Sequence, residues 1–434
     1  MSLRTPKNLR KLQRKLYVKA DDEPEFRFYS LIDKAYRADT LWHAWQLVRR
    51  NGGQPGADGV RISDIVEMGE VEWLEALQTE LRQEEYAPSP TLRVMILKPS
   101  GGSRPLGIPT VKDRVVQTAV KLVIEPIFEA DFEDNAFGYR PERSAQQAVE
   151  VVHEELLDGR RDVVDADLSS YFDTIPHDQL MRSVRQRISD GRILALIKRW
   201  LEVPTIERDD DGTERTLAAG SEGTPQGGVI SPVLANIYIN RFLKFWREQN
   251  LDEALDARVI NYADDFVIVT RGRADEALRV TKRVMESMGL ALNEQKTKIR
   301  DVDKEPLDFL GYTFCWDHYR PTGRRYLSAQ PAKSRIKRMK QKIRAWFEKA
   351  LVRPWDQIVR RINQMLEGWG NYFSYGTCER AYRAIDQYTC ERARKALRRR
   401  HGHGSRGRGR WPYEWLYGSA GGLRHIKDFS STAG

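Results

Sequence analysis

The sequence predicts an α+β fold in which an antiparallel sheet backed by helices is followed by a helical C-terminal part. From residue 162 to residue 302 the elements run strand, helices, hairpin, helix, strand, which is the order of a split β-α-β, ferredoxin-like unit. The hairpin spans residues 258–270, where two apolar arms flank the adjacent carboxylates of Asp264 and Asp265. Beyond residue 331, apolar residues recur at three-and-four spacing, which is typical of amphipathic helices.

The charge of the chain is unevenly distributed, and this indicates a polyanionic partner. The 434 residues have room for two or three domains, and their 40% apolar and 31% charged content is typical of a globular protein. The formal charge is +10, of which residues 331–434 carry +16 and residues 1–330 carry −6. Residues 1–20 contain seven Lys and Arg and no acid. Cationic ends around a mildly acidic middle favour nucleic acid, with a membrane surface as the weaker alternative.

Neither secretion nor membrane insertion is expected. Residues 1–20 contain no apolar core segment, and the longest uncharged run, 223–240, contains two prolines and three glycines. The three cysteines, Cys315, Cys378 and Cys390, make no disulfide framework. We therefore expect the protein in a reducing cytoplasm.

The N-terminal part predicts helices followed by a small β-hairpin. Residues 1–50 indicate basic and then aromatic-rich helices, which end at the turn-rich segment 51–59. Residues 86–108 predict two strands joined by a glycine-containing loop that Lys98 and Arg104 flank. Such a loop could close over phosphates with backbone N–H groups and two cations. The alternative is a short hairpin with solvated basic residues.

Two sequence patterns predict where the helices around the sheet begin. Ser144, with Gln147 three residues later, forms the pattern of a capping box. Ser231-Pro232 predicts an N-cap followed by a proline at the first helical position. The remaining helix and the last strands of this part are expected near 274–288, 297–302 and 307–314.

Three carboxylates are expected to converge at one edge of the sheet. A strand over 162–168 carries Asp167 near its end, and in the split β-α-β arrangement that end lies beside the hairpin tip with Asp264 and Asp265. Clustered carboxylates repel one another, so the cluster favours a cation site over a solvated turn. Oxygen ligands without His or Cys favour hard ions such as Mg²⁺. Two such ions can activate a hydroxyl and stabilise the leaving oxygen of a phosphoryl displacement.

The last hundred residues predict cationic helices. From Ser334, one apolar stripe is formed by Ile336, Met339, Ile343, Phe347 and Leu351. The other faces carry Lys337, Arg338 and Lys340, which indicate a surface that follows a nucleic-acid duplex, or else a solvated basic face. Gly368 and Gly370, in the next helical segment, are expected to allow close approach of another element.

Seven collinear motifs resemble reverse transcriptases, and more closely those encoded by bacterial group II introns. Three of them are general to the enzymes: Tyr262-Ala-Asp-Asp265 in a hairpin, Asp167 followed five positions later by Phe172, and Thr224-Pro-Gln-Gly-Gly228 before a helix. The intron-type motifs are Asn51–Gly59, Lys98-Pro-Ser-Gly-Gly-Ser-Arg-Pro-Leu-Gly-Ile-Pro109, Phe137-Gly-Tyr-Arg-Pro-Glu-Arg-Ser144 and Phe309-Leu-Gly-Tyr312. The resemblance extends to Gly368-Trp-Gly-Asn-Tyr-Phe373 and so spans nearly the whole chain in order.

The resemblance implies a right-hand polymerase with an α-helical thumb or maturase domain. Its expected parts are an N-terminal basic extension (1–50), fingers (51–155), a ferredoxin-like palm (156–330), a thumb (331–418) and a short tail (419–434). The implied activity is RNA-directed DNA polymerisation, together with binding of the parent intron RNA to assist splicing and mobility. The implied partners are structured group II intron RNA, an RNA template, a DNA primer and deoxynucleoside triphosphates, with two Mg²⁺ ions, or Mn²⁺, as cofactors and no membrane.

Roles at the catalytic centre also follow from the resemblance. Asp167, Asp264 and Asp265 match the metal-binding aspartates, and Phe172 resembles the steric gate that crowds a ribose 2′-hydroxyl. The residues that match nucleotide-binding positions are Lys98, Arg104, Gln226 and Lys296, the last of them near the leaving pyrophosphate.

Other roles concern the template and primer. Arg140 and Arg143 are expected to hold the template, although surface ion pairs explain them equally well. Leu310-Gly311-Tyr312 resembles the primer-gripping turn, and the cations Lys337, Arg338 and Lys340 complete the expected nucleic-acid contacts.

Two departures from the family pattern qualify these expectations. Many relatives have a Lys-Gly pair where this chain has Ser169-Ser170, so a contact made by that lysine is absent. Many relatives also continue into a DNA-cleaving module, and none is expected here. Alternative functions are an RNA-binding splicing chaperone with secondary polymerase activity, and a reverse transcriptase in host defence or repair.

Overall fold

The N-terminal part is helical, as the sequence predicts. A computed structural model describes residues 3–97, 103–208, 213–225, 227–319, 321–402 and 407–430, without the side chains of Leu97, Arg104 and Ser430. The first five helices are α1 (Lys7–Asp22), α2 (Ile32–Ala35), α3 (Ala38–Asn51), α4 (Ile62–Met68) and α5 (Glu70–Gln83). They pack on a long helix that follows the first two strands: β1 (Thr91–Leu97), β2 (Ser103–Ile108) and α6 (Val111–Glu129).

The central part alternates helices and strands. Its first elements are α7 (Ala145–Leu157), β3 (Asp162–Asp167), α8 (Tyr171–Thr174), α9 (His177–Arg187), α10 (Gly191–Leu201), β4 (Thr205–Arg208) and β5 (Glu214–Leu217). The Ser144 hydroxyl accepts from the Gln147 amide and the Gln147 side chain accepts from the Ser144 amide, so the predicted capping box of α7 is confirmed. Strands β4 and β5 join the first hairpin in a sheet of order β2-β1-β4-β5.

The predicted ferredoxin-like sheet is present. The elements that complete it are α11 (Ser231–Glu248), α12 (Leu251–Ala254), β6 (Ala257–Tyr262), β7 (Asp265–Thr270), α13 (Ala274–Ser287) and β8 (Lys298–Asp301). Its strand order is β6-β7-β3-β8, and all three pairings are antiparallel. Ser231 does not cap α11, contrary to the sequence prediction; its hydroxyl donates to the Pro225 carbonyl, and Ile230 takes the cap position.

Both faces of this sheet are covered. Val164, Ala166, Phe266 and Ile268 belong to a core shared with the N-terminal helices, α9, α11 and α13. Val163, Val267 and Val269, on the opposite face by the two-residue period of a strand, belong to a second core shared with α7 and the C-terminal part. This double burial makes β7 continuously buried after its first residue, and it fixes which face every strand residue occupies.

The C-terminal part begins with a three-stranded sheet and continues as helices. The elements are β9 (Leu307–Phe309), β10 (Tyr312–His318), β11 (Arg325–Pro331), α14 (Lys333–Glu348), a 3₁₀ turn (Lys349–Leu351), α15 (Trp355–Tyr372), α16 (Glu379–Arg400), α17 (Tyr413–Tyr417) and α18 (Lys427–Ser430). Met339, Ile343 and Phe347 are buried as predicted, whereas Leu351 is 62% exposed because the α-helix ends before it. None of the helices in the described ranges has the length and apolar character needed to span a bilayer.

Candidate active site

A tight hairpin carries two of the three candidate aspartates. Strands β6 and β7 pair up to Tyr262 and Asp265, so Ala263 and Asp264 alone form the turn. Ala263 has a φ of +60°, which residues other than glycine rarely adopt. Asp264 therefore lies at the tip, and Asp265 is the first residue of β7.

Asp167 and Asp265 lie directly opposite each other on paired strands. They are the last matched pair of the β3–β7 ladder, so both side chains project from the same face of the sheet. Asp265 is exposed to solvent on one side, but its carboxyl group lies against the densely packed sheet. Desolvation there, followed by repulsion from Asp264 and Asp167, raises the pKa of Asp265 to about 6. The cluster thus disfavours its own negative charge and would gain from a cation.

Lys296 supplies one such cation. Its Nζ atom lies 2.8 Å from Asp167 Oδ2, and the lysine side chain remains largely exposed. The turn that carries it is anchored to β3, because the Asn293 amide donates to the Asp167 carbonyl at 2.8 Å. The ammonium group is therefore held beside the aspartates by the end of the same strand that carries Asp167.

The donor set is suited to a hard metal ion. Within the described ranges, no group of three His, Cys, Asp or Glu side chains is arranged tightly enough to hold an ion. The two facing carboxylates and Asp264 nevertheless offer only oxygen ligands, which Mg²⁺ prefers, and Asp265 carries the raised pKa that a cation would relieve. The ligand atoms of these residues are therefore of the kind that the implied metal binds. In this structure Asp167 forms its ion pair with Lys296.

Phe172 lies just beyond the end of β3. It is in the short helix α8, and its ring is partly buried between Tyr171, at 5.6 Å, and Tyr139, at 6.3 Å. The chain reaches it through Ser170, whose φ of +48° is left-handed. A glycine in place of Ser170 would adopt that conformation more readily than serine does. The Thr224 amide donates to the Phe172 carbonyl at 2.6 Å, so the segment before Gln226 lies beside the backbone of Phe172.

The loop over residues 135–140 packs against the hairpin that carries Asp264. A Cβ atom on Gly138 would lie 2.4 Å from the Ala263 amide nitrogen. The backbone of Asn261 exchanges hydrogen bonds of 2.9 Å with residues 135 and 137, and its side-chain amide donates to the Ala263 carbonyl. The turn that carries Asp264 is thus in direct contact with this loop.

Several predicted site residues lie elsewhere or cannot be placed. Lys98, Gln226 and the Arg104 side chain lie outside what the structure describes. The Arg140 side chain is only 3% exposed and is bound to Glu129 and two carbonyl groups, so we correct its expected template contact to a structural role. Arg143 pairs with Asp134 at 2.7 Å, as the ion-pair alternative expects.

Comparison with known proteins identifies the family. Residues 96–314, half of the chain, match the model of the reverse transcriptases, described as RNA-dependent DNA polymerases. The chain belongs to the reverse transcriptase family. Residues 336–414 match the maturase-specific domain of group II introns. The reverse transcriptase therefore combines a polymerase with a maturase domain, which confirms the interpretation of the sequence.

Two relatives and one solved structure illustrate the match. Protein YkfC of Escherichia coli (strain K12) is 38% identical over 338 residues, which cover 69% of this chain and 87% of that protein. The group II intron-encoded protein LtrA of Lactococcus lactis subsp. cremoris is 28% identical over 67% of this chain, which spans 57% of LtrA. The structure of telomerase from Candida albicans in complex with the TWJ fragment of telomeric RNA covers 76% of this chain at 12% identity, with a TM-score of 0.42.

In the reverse transcriptase, the predicted primer-gripping turn joins β9 to β10. Leu310 and Gly311 have φ values of +50° and +85°, which is the geometry of a type I′ hairpin. The Tyr372 hydroxyl donates to the Leu310 carbonyl at 2.7 Å, and the Tyr312 hydroxyl donates to the Tyr372 carbonyl at 2.9 Å. Two hydrogen bonds therefore tie the turn to the end of α15.

The helices after residue 333 present the predicted basic face. Lys337 and Arg338 are exposed on α14, and Lys340 lies over the ring of Tyr388 on α16, at 5.5 Å from its centroid. Sequence reasoning gave no role to Gly138, Tyr139 or Tyr372. Each lies in a motif that resembles the family, but only the fold shows what it touches.

Proposed function

We propose that Asp167, Asp264 and Asp265 hold two Mg²⁺ ions and that the enzyme extends a DNA primer along an RNA template with deoxynucleoside triphosphates. The observation that carries this proposal is the direct pairing of Asp167 with Asp265 on one face of the sheet, beside the turn that holds Asp264. In this proposal residues 51–155 form the fingers, 156–330 the palm and 331–418 the thumb.

In this proposal, different residues contribute to different parts of the reaction. When bound, the ions would activate the primer 3′-hydroxyl and neutralise the charge of the leaving pyrophosphate. In this proposal Lys296, whose ammonium group lies beside Asp167, gives a proton to that leaving group. Phe172 packs under the sugar and rejects a ribose 2′-hydroxyl by contact. Lys98, Arg104 and Gln226 hold the triphosphate in this proposal, on the resemblance alone.

The thumb supports a second role in the same protein. LtrA is described as a group II intron-encoded protein, and this chain matches the maturase-specific domain. The exposed cations of α14 offer a surface to which the phosphates of a structured RNA could bind. We infer that the protein binds a group II intron RNA and assists its splicing.

Primer extension tests the polymerase proposal. The assay uses the purified full chain, Mg²⁺, deoxynucleotides and a DNA primer annealed to RNA, beside the variant Asp264→Ala. Extension by the native protein alone is expected. Extension by both proteins would show that Asp264 is not needed to hold the ions. If neither protein extends the primer but both bind intron RNA tightly, the splicing role becomes the main function.

A further inference from the structure

Tyr139 adopts a strained backbone conformation beside the proposed sugar gate. Its φ is +57°, a left-handed value that is unusual for a bulky residue, yet its side chain is 51% exposed. Packing of its own side chain into the core therefore does not explain the conformation. Such strain persists only where the surroundings fix it, and it often marks a functional site.

The neighbours of Tyr139 fix its backbone from both sides. Gly138 lies against the hairpin turn, and its carbonyl accepts from the Asn236 side chain at 2.8 Å. On the other side, the buried Arg140 guanidinium donates to the carbonyl groups of Glu133 and Ala136 at 2.6 and 2.8 Å. The loop can therefore hold the Tyr139 ring at one place above the sheet.

That place is against Phe172. The two ring centroids are 6.3 Å apart and the rings are inclined by 80°, the edge-to-face geometry that aromatic pairs prefer. Tyr171 contacts Phe172 as well, and its hydroxyl is fixed by a 2.6 Å hydrogen bond to the Ala235 carbonyl. Tyr171 is buried and Tyr139 is exposed, so Phe172 has one support in the core and one facing solvent.

We propose that Tyr139 is a positioning residue for sugar selection, which holds the Phe172 ring where it crowds a ribose 2′-hydroxyl. The inference rests on the proposed polymerase function and deepens it. Because Gly138 seats the turn with Asp264 and Tyr139 contacts Phe172, one short loop fixes the gate relative to a proposed metal ligand. Without the Tyr139 ring, Phe172 could rotate toward solvent and admit ribonucleotides.

The test compares single-nucleotide incorporation of deoxy- and ribonucleotides, measured as kcat/KM. Tyr139→Asn removes the ring but keeps a residue that tolerates the left-handed conformation, and Tyr139→Phe keeps the ring. We expect Tyr139→Asn to lower discrimination against ribonucleotides about tenfold and Phe172→Ala to lower it further. Tyr139→Phe should retain discrimination, and Tyr29→Ala, which removes a remote exposed tyrosine, should leave it unchanged.

A double variant separates positioning from an independent effect. If Tyr139 acts through Phe172, then Tyr139→Asn combined with Phe172→Ala should discriminate no worse than Phe172→Ala alone. If the two substitutions lower discrimination additively, the inference is overturned. It is also overturned if Tyr139→Asn leaves sugar choice unchanged and raises only the KM for the template. Unchanged sugar choice in Phe172→Ala would overturn the gate and the inference together. Failure of the native protein to extend any primer would instead overturn the proposed function.

Discussion

Gly138 and Ala263 are in such close contact that no side chain fits between them. A Cβ atom at residue 138 would lie 2.4 Å from the Ala263 nitrogen and 3.0 Å from the Tyr262 carbonyl carbon, both of them backbone atoms that cannot rotate away. The turn with Asp264 therefore has the position that the 135–140 loop permits.

Gly138→Ala should displace the turn that carries Asp264. Shifts of about 1 Å at a reacting centre lower rates by about 100-fold, so we expect a loss of that order in primer extension. Gly191→Ala is the matched control, because a Cβ atom there meets nothing within 4 Å. Full activity in Gly138→Ala would show that the loop yields and that the turn is held by β6 and β7 alone.

Asp265→Asn should stabilise the metal-free protein while it abolishes polymerisation. The raised pKa means that folding favours the protonated Asp265 carboxyl, so its contribution to stability is complete below about pH 4 and is lost as the pH rises through about 6. Asparagine cannot ionise. Its melting temperature should therefore equal that of the native protein near pH 4 and exceed it by about 1–3 °C above pH 6.

Added Mg²⁺ provides the second measurement for Asp265→Asn. At neutral pH, Mg²⁺ should raise the melting temperature of the native protein more than that of the variant, because ligands stabilise the state that binds them. Asp21→Asn, at an exposed position on α1, controls for the loss of one carboxylate. An equal effect of Mg²⁺ on all three proteins would place the ion elsewhere.

Lys296→Gln should lower kcat far more than it changes the KM for nucleotide. A positioned proton donor contributes about 10²–10⁴ in rate, and glutamine cannot replace it. Lys298→Gln, two residues later and exposed on β8, is the control and should keep its rate. If Lys296→Gln changes only the Mg²⁺ requirement, Lys296 serves to neutralise Asp167 rather than to donate a proton.

The sequence predicts the sheet and its aspartates because both depend on local patterns. The hairpin arms are apolar and β-prone, and the split β-α-β order dictates that Asp167 lies beside Asp265. The contacts that hold this site in position are not predictable from local patterns. Gly138 contacts Ala263, which lies more than a hundred residues later in the sequence. Tyr139 contacts Phe172, which is nearer in the sequence but belongs to a different element. The enclosure of the Arg140 guanidinium is likewise visible only in the fold, because Glu129 and two backbone carbonyl groups surround it.

Gly368 and Gly370 should respond in opposite ways to alanine. A Cβ atom on Gly368 meets nothing within 4 Å, so Gly368→Ala should stabilise α15 by about 1 kcal/mol through helix propensity. A Cβ atom on Gly370 would lie 2.9 Å from Ile426 Cγ2 and 3.2 Å from the Ile426 carbonyl oxygen. Gly370→Ala should therefore destabilise the protein by about 1–2 kcal/mol. Denaturant unfolding measures both, and stabilisation by both would mean that the segment at Ile426 moves away freely.

Replacing Lys337, Arg338 and Lys340 with glutamine should weaken RNA binding and flatten its salt dependence. Removing one cation that binds a phosphate reduces the slope of log K against log salt by up to about 0.9, so the slope of the triple variant should fall by up to about 2.7. Replacement of Arg279, Lys282 and Arg283 with glutamine removes the same charge from exposed positions of α13 and is the matched control. An equal change in both variants would mean that net charge alone governs binding. A smaller slope only in the α14 variant would show that RNA phosphates bind to α14, because the Coulombic effect of net charge is the same in both proteins.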